Sequence, residues 1–126
     1  MWQTRFCPGN NLYANSLLAL DARTGRRLWH FQTVHHDLWD YDLPQAPKLL
    51  TLTQGGRRTE AVMVAGKTGF IYTFERRTGR PVFPIEEKPV PQTDVLGEWI
   101  SPTQPFPSAP PPFARHRADR DKAVRA

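Results

Sequence analysis

One stretch of this chain repeats itself 54 residues later. Ala19, Asp21, Thr24, Gly25 and Trp29 recur in register as Thr73, Glu75, Thr78, Gly79 and Phe83. Each copy reads as strand, tight turn and strand. The acid and the threonine can bond turn amides, the glycine can take the left-handed backbone, and the closing aromatic can pack sideways. A period near 50 residues built from short strands is the signature of a β-propeller or a related array, in which one unit stacks on the next.

Between the two copies the strand signals continue. Strands are expected near 16–21, 27–32, 48–53, 60–65, 70–75 and 80–84, separated by turns at 54–58 and 66–69. The first two form the outer pair of one blade and the other four a whole blade. In an up-and-down meander alternate loops fall on the same face. The long loop 33–47 and the turn 66–69 therefore share one face, and both Thr-Gly turns lie on the other.

That long loop contains the densest cluster of chemical groups in the chain: His35, His36, Asp37, Leu38, Trp39, Asp40, Tyr41 and Asp42. No helical or strand period accounts for it, and loops carried by a rigid scaffold are where sites are built. The competing reading is a solvated turn whose aspartates bond backbone amides and whose Trp39 plugs a core. Face parity places Asp40 and Lys67 together, and the entering loop crosses from the blade's rim towards the propeller axis.

After Pro84 the texture changes. Nine of the 13 prolines lie between Pro84 and Pro112, which excludes a sheet interior and points to an extended arm or linker. From Phe113 on, no hydrophobic period survives and a disordered tail is expected. Between Phe113 and Ala126 five basic residues face two aspartates, so +3 of the chain's net charge of +5 belongs to that tail. The charge therefore gives little support to a nucleic-acid partner. Cys7 is alone, so neither an internal disulfide nor a paired-cysteine zinc site is available. No apolar run approaches the roughly 20 residues of a membrane-spanning helix, and the N-terminus has no export-signal core.

The residues from about 10 to 113 resemble the pyrroloquinoline-quinone (PQQ) dehydrogenases, in the branch of the quinoprotein glucose dehydrogenases. The pattern Ala19, Asp21, Thr24, Gly25, Trp29 is similar to that family's tryptophan-docking motif. The run from Thr33 to Pro44 is similar to its active-site loop, and the segments 84–91 and 101–106 are similar to the family's next segment along the chain. The resemblance implies an all-β fold, a partial β-propeller of about one and a half blades where the family has about eight. Residues 1–9 stand outside the match, 10–84 form the blades, 85–113 the Pro-rich arm and 114–126 the basic tail.

The resemblance also implies chemistry. Asp40 is the catalytic base and in some members touches the bound calcium, Lys67 contacts the quinone oxygens, and Trp39 lies at the cofactor. An alcohol or aldose loses its hydroxyl proton to Asp40 as hydride passes to the quinone C5 carbonyl. Calcium polarises that carbonyl and Lys67 stabilises the developing oxyanion. His35 and His36 are candidates for the sugar side, with bracing of the loop as the other reading. Asp37 and Asp42 read as turn and loop braces. The implied partners are a sugar or alcohol and a quinone or other electron acceptor, and the implied setting is periplasmic or membrane-associated.

Two departures stand out. Asn10 occupies a position where the family usually has Asp, and the ends 1–6 and 116–126 do not continue the pattern, which points to a gene fragment or a shifted frame. A fragment with readable chemistry, inactive alone, is the first expectation. A non-catalytic propeller piece acting as a binding or assembly module is the second.

Overall fold

The structure is a computed structural model and describes residues 9–115. The segments 1–8 and 116–126 lie outside the described residues, and with them most of the expected disordered tail. The described residues contain seven strands and no helix.

The first copy of the repeat folds as a hairpin of β1 (Ser16–Leu20) and β2 (Arg27–Gln32), with a register shift between Ala19 and Leu20. The next three strands, β3 (Lys48–Gln54), β4 (Arg57–Ala65) and β5 (Ile71–Glu75), form an antiparallel meander in the order β3-β4-β5. The β3–β4 connection is a two-residue turn through Gly55 and Gly56, both at positive φ, which matches the twist of the flanking strands. The fold is thus all-β, a partial β-propeller, with the outer pair of one blade set against the strands of the next.

The two sheets meet on aromatic side chains. Phe31 of β2 lies with its ring 4.8 Å from Phe74 and 5.8 Å from Tyr72, both on β5. Leu17, Val62, Val64, Phe70, Tyr72 and Phe74 form the buried core, flanked by Trp29, Leu43, Ile85 and Phe106. The middle of β5 is buried, with Tyr72 and Phe74 under Phe31 and the preceding Phe70 against Phe106.

The repeated turns adopt one geometry. Gly25 N bonds Asp21 O at 2.8 Å, and Gly79 N bonds Glu75 O at 2.9 Å. Asp21 Oδ1 accepts from Thr24 N and Oγ1, and Glu75 Oε2 accepts from Thr78 Oγ1. The Thr24 hydroxyl and amide hold the Asp21 carboxyl below its ordinary range. Trp29 lies flat against the second turn: its Nε1 donates to Arg76 O at 3.0 Å, and a Cβ placed on Gly79 would stand 2.6 Å from the indole.

Two elements differ from the expectation. The strand expected at 80–84 shrinks to one bridge, Phe74 to Pro81, made by the bonds from Glu75 N to Arg80 O at 2.8 Å and from Val82 N to Thr73 O at 2.9 Å. Donors on this strand fall on even positions, and the next of them, Pro84, has no N–H with which to extend the ladder. The Pro-rich arm, in turn, is not merely extended. It folds into a ribbon of β6 (Ile85–Pro89) and β7 (Thr103–Pro107), held to the core by Ile85 and Phe106.

Candidate active site

The loop between β2 and β3 and the turn between β4 and β5 lie on one face, as strand parity requires. Lys67 Nζ donates to Asp40 Oδ2 at 2.9 Å and lies 2.7 Å from Asp42 Oδ1. Lys67 N also donates to Asp42 O at 3.1 Å, so Asp42 holds this lysine by backbone and side chain together. Asp42 first, and Asp40 with it, push the Lys67 ammonium well above the ordinary lysine range, which keeps it charged. Asp40 itself sits at φ 61, in the left-handed region that aspartate tolerates better than most residues. Its side chain is 84% exposed, with one oxygen committed to Lys67.

Asp37 holds the loop in shape. Its carboxylate accepts from Asn15 Nδ2, Trp39 N and Tyr41 N. Trp39 and Tyr41 stack on each other, centroids 5.8 Å apart, on the exposed side of the loop. Together with Lys67 they border an open cavity of about 430 Å³, which continues past Thr68 and Phe70 to Gln104 and Arg115.

The two histidines are not on that cavity's wall. His35 sits between β2 and the ribbon, its Nδ1 2.7 Å from Gln32 Oε1 and its Nε2 3.0 Å from Glu87 Oε1. His36 is buried, at φ 43, with Nδ1 2.6 Å from Gly9 O and its ring edge-on to Trp99. Tyr41, Thr68, Gln104 and Arg115 border the cavity without having been singled out in the sequence. Tyr41 had a signal, being next to Asp40. Gln104 had none, because nothing in a Pro-rich run reveals that it folds back over the site.

The lining suits a planar, anionic, aromatic ligand: a stacked aromatic pair on one side, Lys67 and Arg115 as cations, and hydroxyl and amide groups between. Calcium is a different matter. Among the described residues no three His, Cys, Asp or Glu side chains gather around a common point, so Asp40 would be at most one ligand of a metal held mainly by other groups.

A blade pair with an indole seated on one Thr-Gly turn and an aspartate–lysine pair on the opposite face is a segment of a β-propeller. The chain belongs to the PQQ-dependent dehydrogenases, glucose-dehydrogenase-like branch: the model for the glucose/ethanol/alcohol dehydrogenase β-propeller domain matches residues 2–125. It is 46% identical over 106 residues to the quinoprotein glucose dehydrogenase of Escherichia coli K12, covering 84% of this chain and 13% of that protein. Quinoprotein glucose dehydrogenase A of Acinetobacter calcoaceticus is 48% identical over 100 residues, covering 75% of this chain and 12% of the relative. Among solved structures, a quinohemoprotein alcohol dehydrogenase of Comamonas testosteroni superposes with a TM-score of 0.56 at 29% identity, over 79% of this chain and 14% of that one. The chain therefore spans about an eighth of the length of these relatives.

Proposed function

We propose that this chain carries the base and the cation of a quinoprotein dehydrogenase that oxidises an aldose or alcohol. The observation that carries this reading is the 2.9 Å contact of Asp40 Oδ2, which is not itself among the lining residues, with Nζ of Lys67, which borders the cavity beside Trp39 and Tyr41. Bound PQQ would supply the hydride-accepting carbonyl. Asp40 Oδ1 is left to accept the proton of a substrate hydroxyl. Lys67 presents a permanent positive charge where negative charge develops on a bound carbonyl oxygen. It stays in place as Asp40 becomes neutral, because Asp42 keeps its own grip on the ammonium. Trp39 and Tyr41 offer an aromatic face at the edge of the cavity, and His35 and His36 brace the loop rather than touch the sugar. Calcium, expected from the family, would draw on Asp40 for one ligand.

A scaffold or assembly module needs neither Asp40 nor Lys67. The test that separates the readings is a chimera in which residues 10–113 replace the matching segment of an intact quinoprotein glucose dehydrogenase. Sugar oxidation that survives the exchange, and is lost when Asp40 and Lys67 are both changed to alanine, supports the dehydrogenase reading. Full activity with both residues gone supports the module.

A further inference from the structure

His35 stands where the end of β2, β6 and β7 meet. Its N donates to Gln104 Oε1 at 2.8 Å, and its O accepts from Gln104 Nε2 at 2.7 Å, so the Gln104 side chain closes on the loop like a rung of sheet. The ring adds two contacts, Nδ1 to Gln32 Oε1 at 2.7 Å and Nε2 to Glu87 Oε1 at 3.0 Å.

The chemistry of the two partners fixes the protons on the ring. The Gln32 amide is not free to turn over: its Nε2 donates to the carbonyls of Asn10 and Ala14, at 2.8 and 3.1 Å, and a carbonyl only accepts. Oε1 must therefore face the ring, and Nδ1 must donate to it. Glu87 as a carboxylate also only accepts, so Nε2 must donate as well. A neutral imidazole has one N–H and one lone pair, and either tautomer would set lone pair against lone pair at one of these contacts.

We propose that His35 is held as the doubly protonated imidazolium and acts as a positioning residue, a charged pin that fastens the β6–β7 ribbon to the loop carrying Asp40. Glu87 is the one charged group in contact with the ring among the described residues. Its neighbour Glu86 pairs with Lys88, and Asp37 is taken by Asn15 and loop amides. The pin sets the width of the cavity, because the ribbon contributes Gln104, Pro105 and Phe106 to one wall and the loop contributes Trp39 and Tyr41 to the other. This consequence rests on reading the cavity as the reaction site, whereas the proton count rests on hydrogen-bond chemistry alone.

The test is nitrogen NMR on the histidine rings of the full 126-residue chain at neutral pH. Two N–H groups are expected on His35 in the native chain. In Glu87→Gln the new amide can turn its NH₂ towards Nε2, and the ring is expected to keep only the Nδ1 proton while the strands persist. A neutral ring in the native chain, or a proton count that Glu87→Gln leaves unchanged, overturns the proposal. His35→Asn supplies a second readout: losing a charge-assisted bond is expected to speed amide exchange in β6 and β7 by about tenfold or more, with β3 and β4 unaffected. Unchanged exchange in the ribbon would remove the pin, whatever the activity of a loaded enzyme shows.

Discussion

Gly79 has no side chain, and Trp29 occupies the space that one would need. Gly25 holds the same place in the first turn at nearly the same φ, yet nothing lies within 4 Å of where its Cβ would be. Gly25→Ala should therefore cost only the left-handed backbone, about 1–2 kcal/mol. Gly79→Ala should cost that and the displacement of the indole as well, so its urea midpoint should fall clearly further. Equal midpoints would mean that the indole is not seated on the turn. Trp29→Phe keeps a ring but loses the bond to Arg76 O, and should cost about 1 kcal/mol in the same assay. At this scale the Asp40–Lys67 pair was legible, because face parity needs only strand order. The grip of Asp42 on Lys67 was not: it depends on the positive φ of Asp40, which no spacing reveals. The histidines show the same limit. Their place beside Asp37 and Asp40 left sugar contact and loop bracing both open, and it did not reveal the partners of His35, Gln32 and Glu87, one of them 52 residues away.

The ribbon shows how prolines can read as a barrier to pairing and yet sit inside it. Backbone bonds join Val90 to Pro102 and Ser108 to Pro84, so the hydrogen-bonded pairs fall on even positions, Glu86 with Phe106 and Lys88 with Gln104. Pro89, Pro105 and Pro107 all fall on the alternate positions, where no N–H is asked for. A count of prolines hides this, and only their parity against a partner strand exposes it. Pro84 illustrates the opposite case: it falls where the strand after Pro81 would next have to donate, and the expected outer strand is reduced to a bridge. The ribbon is also tied down by Tyr72, whose buried hydroxyl donates to Pro105 O at 2.9 Å and lies 3.3 Å from Thr33 O. Burial pushes that phenol's pKa well above its ordinary value, so it remains a donor. Tyr72→Phe strips a buried carbonyl of its partner and should cost about 1–3 kcal/mol. Its signature should be faster amide exchange in β7 than in β4, and uniform loosening would count against a local tie.

Across the whole molecule the repeat exposes on one blade what it buries on the other. Leu18 and Leu20 are 44% and 55% exposed, while Tyr72 and Phe74, their counterparts 54 residues on, are 1% and 0% exposed. The difference is the neighbour: β2 lays Trp29 and Phe31 over β5, and nothing among the described residues does the same for β1. Catalysis needs the same enclosure, since base, cofactor and substrate must be held from several sides at once. The 126-residue chain supplied with PQQ and calcium is therefore expected not to oxidise glucose, and dye-linked turnover by the purified chain would contradict that. Asp40 as the base is tested most directly by changing Asp40→Asn in the chimera with an intact glucose dehydrogenase and measuring kcat alongside PQQ content. The change keeps the shape of the side chain and removes the proton acceptor, so kcat should fall by about 10²–10⁴-fold with the cofactor still bound. Near-normal turnover would place the base elsewhere and contradict the assignment.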